Sequence, residues 1–228
     1  MASRLGPDSA VHAALSWIAA LILANLVCVA VSLPILTAGI GLLLTAVVAV
    51  RLIESESTAV LPALGRVVRG AGLAASLLFL AEALLAVLLA WEWILASHLA
   101  GGPAPLLARA VVVFVAFVLA IVHVWVWPLM AYRLIEKDRI AVRELPMLVR
   151  ASAIVGLAKT PRTVLALLVT AGPIVLATVS LPWAIRALFW FAVFGIAFAM
   201  YVSVLTAHPV LRSAIAPDED PRRSASRD

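Results

Sequence analysis

Residues 31–39 read Val-Ser-Leu-Pro-Ile-Leu-Thr-Ala-Gly and interrupt a run of about forty mostly apolar residues, roughly twice what one membrane-spanning helix needs. Pro34 has no backbone N–H to donate and its ring clashes with the preceding turn, so a helix is expected to end near Leu33. Thr37 and Gly39 then allow the chain to reverse and start a second helix. One kinked helix is the alternative, because membrane helices tolerate proline. The predicted turn motif comprises Ser32, Leu33, Pro34, Thr37 and Gly39.

The composition is typical of an integral membrane protein. Of the 228 residues, 65% are hydrophobic and 13% are charged, and the mean hydropathy is +1.15. Soluble domains are only about half apolar, so a chain of this size must be solvated by the lipid bilayer. Several apolar runs reach about 20 residues, the length that crosses a hydrocarbon core of about 30 Å. The single cysteine, Cys28, lies in the first run and is expected to be a small packing residue.

The apolar runs predict an all-α fold, a polytopic membrane bundle of six transmembrane helices joined by short hairpin turns. Two amphipathic segments are expected to lie in the membrane interface. A cytoplasmic tail is predicted for residues 1–11, a single transmembrane domain for 12–210, and a disordered cytoplasmic tail for 211–228. The predicted helices cover about 12–33, 35–53, 70–98, 106–133, 163–181 and 183–207, and the amphipathic segments about 58–69 and 140–158.

The tetrapeptide Val-Ser-Leu-Pro occurs twice, at residues 31–34 and 179–182, and each copy is predicted to join two membrane helices. A parallel internal repeat, in which two hairpins are related by an axis along the membrane normal, is one interpretation. The flanking residues share little, so two unrelated turns are the alternative.

The basic residues predict the orientation in the membrane. With six helices, all of the 17 Lys and Arg residues except Arg109 and Arg186 fall on the side that holds both termini. Basic residues accumulate on the cytoplasmic side, so both termini are expected in the cytoplasm. Anionic headgroups account for the positive charge without nucleic acid. The predicted cytoplasmic basic face comprises Arg139, Arg143 and Arg150.

Glu82 and His123 fall at similar depths near the middle of the membrane, on antiparallel predicted helices, so their side chains could pair. An ionisable side chain at the bilayer centre costs about 2.5–3.5 kcal/mol on insertion scales and should face protein or water. A proton-coupled or substrate-binding site is the functional interpretation; a protonated Glu82 that only joins two helices is the structural one. Asn25, in the first helix, is expected to make an interhelical hydrogen bond, with a ligand contact as the alternative. The candidate intramembrane polar site therefore comprises Glu82, His123 and Asn25.

The sequence contains no recognised enzyme motif. A phosphate-binding Gly-Lys-Ser/Thr loop, His-Glu-x-x-His, Gly-x-Ser-x-Gly and paired cysteines are all missing from it. The four histidines, at positions 12, 98, 123 and 208, fall on different predicted helices and at different depths. We therefore expect no catalytic residue, no metal site and no cofactor.

Four segments together resemble the YesL-like family of bacterial integral membrane proteins, whose biochemical function is itself unknown. The first is Ser32 to Gly39 after a helix that carries Asn25 and Leu26. The others are the arginine-bearing segment 66–69, the run Trp127-Pro128-Leu129-Met130-Ala131, and residues 151–162 with Lys159-Thr160-Pro161-Arg162 at their end. The resemblance covers about 12–210 and implies that the chain is a multi-pass protein of the bacterial cytoplasmic (plasma) membrane. Because YesL-like proteins often accompany sugar-uptake ABC transporters, it implies an accessory or regulatory role in carbohydrate uptake, and it supplies no catalytic residues.

The expected function is therefore that of a non-enzymatic accessory protein. It would contact ABC-transporter permease subunits through small-residue helix faces and the basic amphipathic helix, or assemble as a homo-oligomer. The alternative is an autonomous secondary transporter or channel that uses Glu82 and His123 at its midplane. A lipid- or glycan-modifying enzyme is a third hypothesis.

Overall fold

The computed structural model describes residues 10–54, 58–98 and 103–215, and within these ranges the chain is helical and contains no strand. Most of the two predicted tails lies outside the described residues. A 3₁₀ turn, Val142–Glu144, precedes α5, and a π-helical turn, Phe191–Gly195, joins α7 to α8. The eight α-helices are α1 (Ala10–Ser32), α2 (Ala38–Ile53), α3 (Val60–His98), α4 (Ala104–Lys137), α5 (Leu145–Ala158), α6 (Thr160–Ala177), α7 (Leu181–Trp190) and α8 (Ile196–Ile215).

Among the described residues, five apolar helical segments are long enough to cross a membrane, and this agrees with the predicted all-α membrane bundle. They are α1, α3, α4, α6 and the continuous segment Leu181–Arg212, which contains α7, the π turn and most of α8. The remaining predicted membrane helix, predicted at 35–53 and observed as α2, is also apolar but has only 16 residues. At 1.5 Å per residue it is about 24 Å long, shorter than the hydrocarbon core.

Helix α2 lies at the centre of the bundle, enclosed by α1, α3, α4 and α8. From Ala38 to Val50 all of its residues are buried except the half-buried Leu42. A helix that is apolar on every face is typical of such a buried position. Two glycines allow the close packing: a Cβ on Gly39 would overlap the carbonyl oxygen of Ala75 in α3, and one on Gly41 would lie 2.9 Å from the carbonyl oxygen of Cys28 in α1.

The turn after α1 lies where Pro34 predicts it. Helix α1 ends at Ser32 and α2 begins at Ala38, and the hydroxyl of Thr37 donates to the carbonyl oxygen of Val31. The second Val-Ser-Leu-Pro copy has a different conformation, because Ser180 is extended and α7 begins at Leu181 with Pro182 in its first turn. A proline in the first turn costs no hydrogen bond. The same tetrapeptide thus ends one helix and begins another, so the two copies are not locally equivalent.

Helix α3 is continuous across Gly70, where the sequence predicts a boundary between an amphipathic segment and a membrane helix. With 39 residues it is about 58 Å long, nearly twice the thickness of the hydrocarbon core. Gly70 does not end the helix but lets the backbone of the segment after α4 approach α3 closely. A Cβ at this position would overlap the carbonyl oxygen of Asp138, and the backbone N–H of Ile140 donates to the carbonyl oxygen of Gly70 over 2.9 Å.

The second amphipathic segment, predicted as one helix over 140–158, begins later than predicted. The Glu144 carboxylate accepts a hydrogen bond from the backbone N–H of Ala141 over 3.1 Å, and this bond holds the pKa of Glu144 below its usual range. Pro146 then lies in the first turn of α5. Of the predicted basic face, only Arg150 lies in α5. The whole set Arg139, Arg143 and Arg150 is exposed, with Arg139 before the 3₁₀ turn and Arg143 inside it.

Candidate functional site

The structure brings Glu82 and His123 together near the middle of α3 and α4. Nδ1 of His123 lies 2.9 Å from Oε2 of Glu82. The Glu82 side chain is 10% exposed and the His123 side chain 33%. Two antiparallel helices of similar length place the two residues at the same level, which is the geometry that their spacing in the sequence predicts.

Trp127, one turn after His123 on α4, is a third member of this cluster. Its indole Nε1–H points at Nδ1 of His123 over 3.2 Å, and the Trp127 side chain is completely buried. The sequence analysis missed this role, although residues four apart on a helix are neighbours. The aromatic ring and its i, i+4 spacing from His123 were the available signals.

A single ring nitrogen therefore faces both the carboxylate of Glu82 and the indole of Trp127. Nδ1 of a neutral imidazole either carries a proton and donates, or carries a lone pair and accepts. If Nδ1 is protonated, it donates to Glu82, and the indole N–H of Trp127 lacks this acceptor. If Nδ1 carries a lone pair, either a protonated Glu82 or the indole N–H of Trp127 donates to it. The position of one proton thus decides whether Nδ1 donates to Glu82 on α3 or accepts a hydrogen bond from Glu82 or from Trp127 on its own helix.

The second carboxylate oxygen of Glu82 is a buried acceptor without a partner. Oε1 is shielded from solvent, and no described group donates a hydrogen bond to it. An unsatisfied polar atom in an apolar environment costs free energy, and inside a membrane water cannot replace the missing donor. This atom marks the cluster as a place where a donor from outside the chain would be stabilised.

A groove of about 620 Å³ lies beside this cluster, between α3, α4 and α6. Glu82 and His123 are the charged or titratable residues in its wall, and Thr170 adds a hydroxyl group. The wall combines large apolar side chains, such as Phe79 and Trp93, with six alanines. The alanines are Ala83, Ala86, Ala90, Ala116, Ala120 and Ala171.

His123 also faces a second cavity, of about 180 Å³, between α2, α4, α6 and the segment from the π turn into α8. His123 and Thr170 line both cavities, and Ser203 adds a hydroxyl to the second one. The hydroxyls of Thr170 and Ser203 donate to carbonyl oxygens of their own helices, at Ala166 and Ala199, each over 2.9 Å. Their oxygen lone pairs remain available as acceptors. His123 therefore occupies the wall between two cavities.

Asn25, the third predicted polar residue, lies elsewhere and joins α1 to the π turn. Its side-chain nitrogen donates to the carbonyl oxygens of Phe191 and Ala192, each over 2.9 Å, and its oxygen accepts from the backbone N–H of Ala197 over 2.9 Å. A π turn leaves some backbone groups outside the regular helical hydrogen-bond pattern. Here the fully buried side-chain amide of Asn25 makes hydrogen bonds with these groups. Asn25 thus makes the interhelical hydrogen bonds expected from the sequence.

The other histidines are dispersed. His98 bonds to the carbonyl oxygen of Ile94 in its own helix, and His208 pairs with the hydroxyl of Tyr132. Within residues 10–54, 58–98 and 103–215, no three His, Cys, Asp or Glu side chains lie close enough together to hold a metal ion.

Comparison of the chain with protein-family models, with curated proteins and with solved structures finds no match.

Proposed function

We propose that the chain crosses a bacterial cytoplasmic membrane six times, with α2 as the short central crossing and both termini in the cytoplasm. The distribution of Lys and Arg supports this orientation, since Arg109 and Arg186 alone fall on the opposite side. The five-residue turn between α1 and α2 reverses the chain, and the enclosure of α2 by four helices removes its need to match the bilayer thickness by itself.

Cysteine labelling tests this topology in a Cys28→Ala background. Leu36→Cys, in the turn after α1, is expected to react with a membrane-impermeant maleimide on intact spheroplasts. Thr58→Cys and Met147→Cys are expected to react only after permeabilisation. All three native side chains are exposed, so access to reagent depends on the side of the membrane. Labelling of positions 36 and 58 from the same side would exclude α2 as a crossing helix.

The function that we propose is that of a non-enzymatic accessory or regulatory protein, which binds a transmembrane helix of another membrane protein in the groove between α3, α4 and α6. The observation that supports it best is the combination of an alanine-rich wall with the unpaired Oε1 of Glu82. Small residues let two helix backbones approach closely in lipid, where packing and interhelical hydrogen bonds replace the hydrophobic effect. The YesL-like resemblance suggests a permease subunit of a carbohydrate ABC transporter as the partner.

Filling the groove tests this proposal. Ala86→Trp places a large ring in the groove wall, whereas Leu84→Trp changes an exposed residue of the same helix that lies outside the groove. Tagged protein is purified from native membranes in mild detergent, and the permease is quantified by mass spectrometry. We expect the wild type and Leu84→Trp to recover the permease stoichiometrically, and Ala86→Trp to recover about tenfold less, equivalent to about 1.4 kcal/mol. Equal recovery of the permease with both variants would mean that the permease contacts a surface other than this groove.

A second candidate function is autonomous secondary transport. The position of His123 between two cavities, with its Nδ1 shared by Glu82 and Trp127, favours it. Titratable residues that face an internal cavity in a membrane bundle are typical of proton relays. In this case the purified protein would be alone or a homo-oligomer.

Glu82→Gln separates the two candidates, because glutamine keeps the size and the hydrogen-bonding capacity of the side chain but cannot release a proton. An accessory protein should retain both permease recovery and carbohydrate uptake in cells. A proton-coupled transporter should lose uptake to background at a normal protein level. Glu92→Gln, a substitution of the same type on the same helix outside this cluster, is the matched control.

A further inference from the structure

Three arginines converge where the apolar part of α3 begins. Arg66 and Arg69 lie on α3, Arg139 follows α4, and all three line one cavity of about 250 Å³ together with Gly70 and Asp138. The next eleven residues of α3, 71–81, carry no charge. The cavity therefore lies at the boundary between the charged and the membrane-spanning parts of the helix.

The contact at Gly70 creates this cluster. Because Gly70 has no Cβ, the turn after α4 lies directly against α3, where the backbone N–H of Ile140 donates to the carbonyl oxygen of Gly70 over 2.9 Å. Asp138 adopts a left-handed conformation with φ of 57°, which ends α4 and directs the chain across α3. Arg139 is the residue between these two anchors, so it lies beside the α3 arginines.

The charges in the cavity are unbalanced. Three arginines face one carboxylate, that of Asp138, so the lining has a formal excess of two positive charges. Oδ1 of Asp138 lies 4.0 Å from Nε of Arg66, at the outer limit of an ion pair, and the Asp138 side chain is 79% exposed. Nε of Arg69 donates to the carbonyl oxygen of Gly65 over 3.0 Å. The remaining guanidinium N–H groups could donate hydrogen bonds to an anion, and their planar arrangement matches the oxygens of a phosphate group.

An apolar cavity adjoins the basic one. It has a volume of about 350 Å³ and shares Arg69, Gly70 and Arg139 with it. From there it continues along Leu73 and Ala74 on α3, with Ile140 and Val142 opposite. Together the two cavities form a site that is cationic at one end and apolar at the other, and the apolar end points along α3 toward its uncharged part.

We propose that this site binds an anionic phospholipid, with the phosphate between Arg66, Arg69 and Arg139 and the start of the acyl chains along Leu73 and Ile140. Basic pockets at the cytoplasmic ends of transmembrane helices are suited to such headgroups, and each basic residue near the surface adds to the attraction. The site is separate from the Glu82–His123 cluster and does not depend on a protein partner or on transport.

The test uses the full-length chain in detergent, titrated with dioctanoyl phosphatidylglycerol, dioctanoyl phosphatidylcholine or inorganic phosphate, with native mass spectrometry to count bound molecules. The variant Arg66→Gln/Arg139→Gln removes two charges from the site. The control Arg143→Gln/Arg150→Gln removes two exposed charges outside both cavities. We expect the apparent affinity of the wild type for phosphatidylglycerol to fall about tenfold in the site variant and less than about twofold in the control.

Three results would overturn the proposal: equal loss of affinity in both double variants, equal binding of phosphatidylcholine and phosphatidylglycerol, or complete displacement of the lipid by millimolar inorganic phosphate. Asp138→Asn provides an independent test if the double variant fails to fold. Asparagine tolerates the left-handed conformation and removes the competing carboxylate, so phosphatidylglycerol should bind about two- to fivefold more tightly. Unchanged or weaker binding by this variant would contradict the site.

Discussion

Replacing Gly39 with alanine is expected to lower the free energy of unfolding by about 3 kcal/mol, because the new methyl group has no space between α2 and α3. Its Cβ would overlap the carbonyl oxygen of Ala75, and Cβ of Phe79, one turn further along α3, would lie only 3.0 Å away. The nearest obstacle is backbone, which cannot rotate away as a flexible side chain can. The two helices would have to separate along the most buried part of the bundle.

Thermal unfolding of the detergent-solubilised protein measures this effect, with Gly172→Ala as the matched control. Gly172 lies inside α6, and a Cβ at this position meets no heavy atom within 4 Å. Alanine is the better helix former by about 1 kcal/mol, so the control should unfold at the same temperature as the wild type or at a higher one. If both variants lose stability equally, the packing of α2 against α3 is not the cause.

Asn25→Leu is expected to have the second large effect, a loss of about 2–3 kcal/mol. The substitution keeps the number and branching of the heavy side-chain atoms but removes three hydrogen bonds. Two carbonyl oxygens and one N–H of the π-turn region then lack the partner that they have in the native chain. Hydrogen bonds between membrane helices contribute about 0.6 kcal/mol on average and up to about 1.7 each, and unpaired buried groups add their own cost.

The matched control is Thr45→Val, again followed by thermal unfolding in detergent. Thr45 is as completely buried as Asn25, but its hydroxyl donates to the Leu42 carbonyl oxygen in its own helix, over 2.7 Å. Valine has nearly the same shape, and the helix retains its backbone bonds. We expect a loss below about 1 kcal/mol. A Thr45→Val effect as large as that of Asn25→Leu would mean that loss of any buried polar group, and not the link to the π turn, causes the destabilisation.

The sequence predicts best those features that local chemistry determines. Pro34 marks the end of α1 because proline acts on its own helix, and apolar run lengths reveal most of the long helices. The pairing of Glu82 with His123 also follows from simple counting, since two antiparallel helices bring residues at similar distances from their neighbouring ends to the same level. This inference succeeded because it needed only helix geometry.

Features that depend on contacts between distant segments were not predictable in this way. Gly70 suggests a helix boundary, yet α3 continues through it. The glycine is needed instead because the turn after α4 occupies the space that a Cβ would fill. Trp127 shows only its aromatic character in the sequence, whereas its hydrogen bond depends on the rotamer of His123. The alanines of the groove look alike along the chain, and only the relative positions of α3, α4 and α6 place six of them around one space.

The hydrogen bonds of Asn25 also bear on how the chain is made. They join positions that are 166 to 172 residues apart. At about 5–20 residues per second, a ribosome needs roughly 10 to 30 seconds to reach the π turn after it has made α1. In the proposed six-helix topology, the side-chain amide of Asn25 lacks these partners throughout this interval. The contact between α1 and the π turn can therefore form only after α7 and the start of α8 have been synthesised.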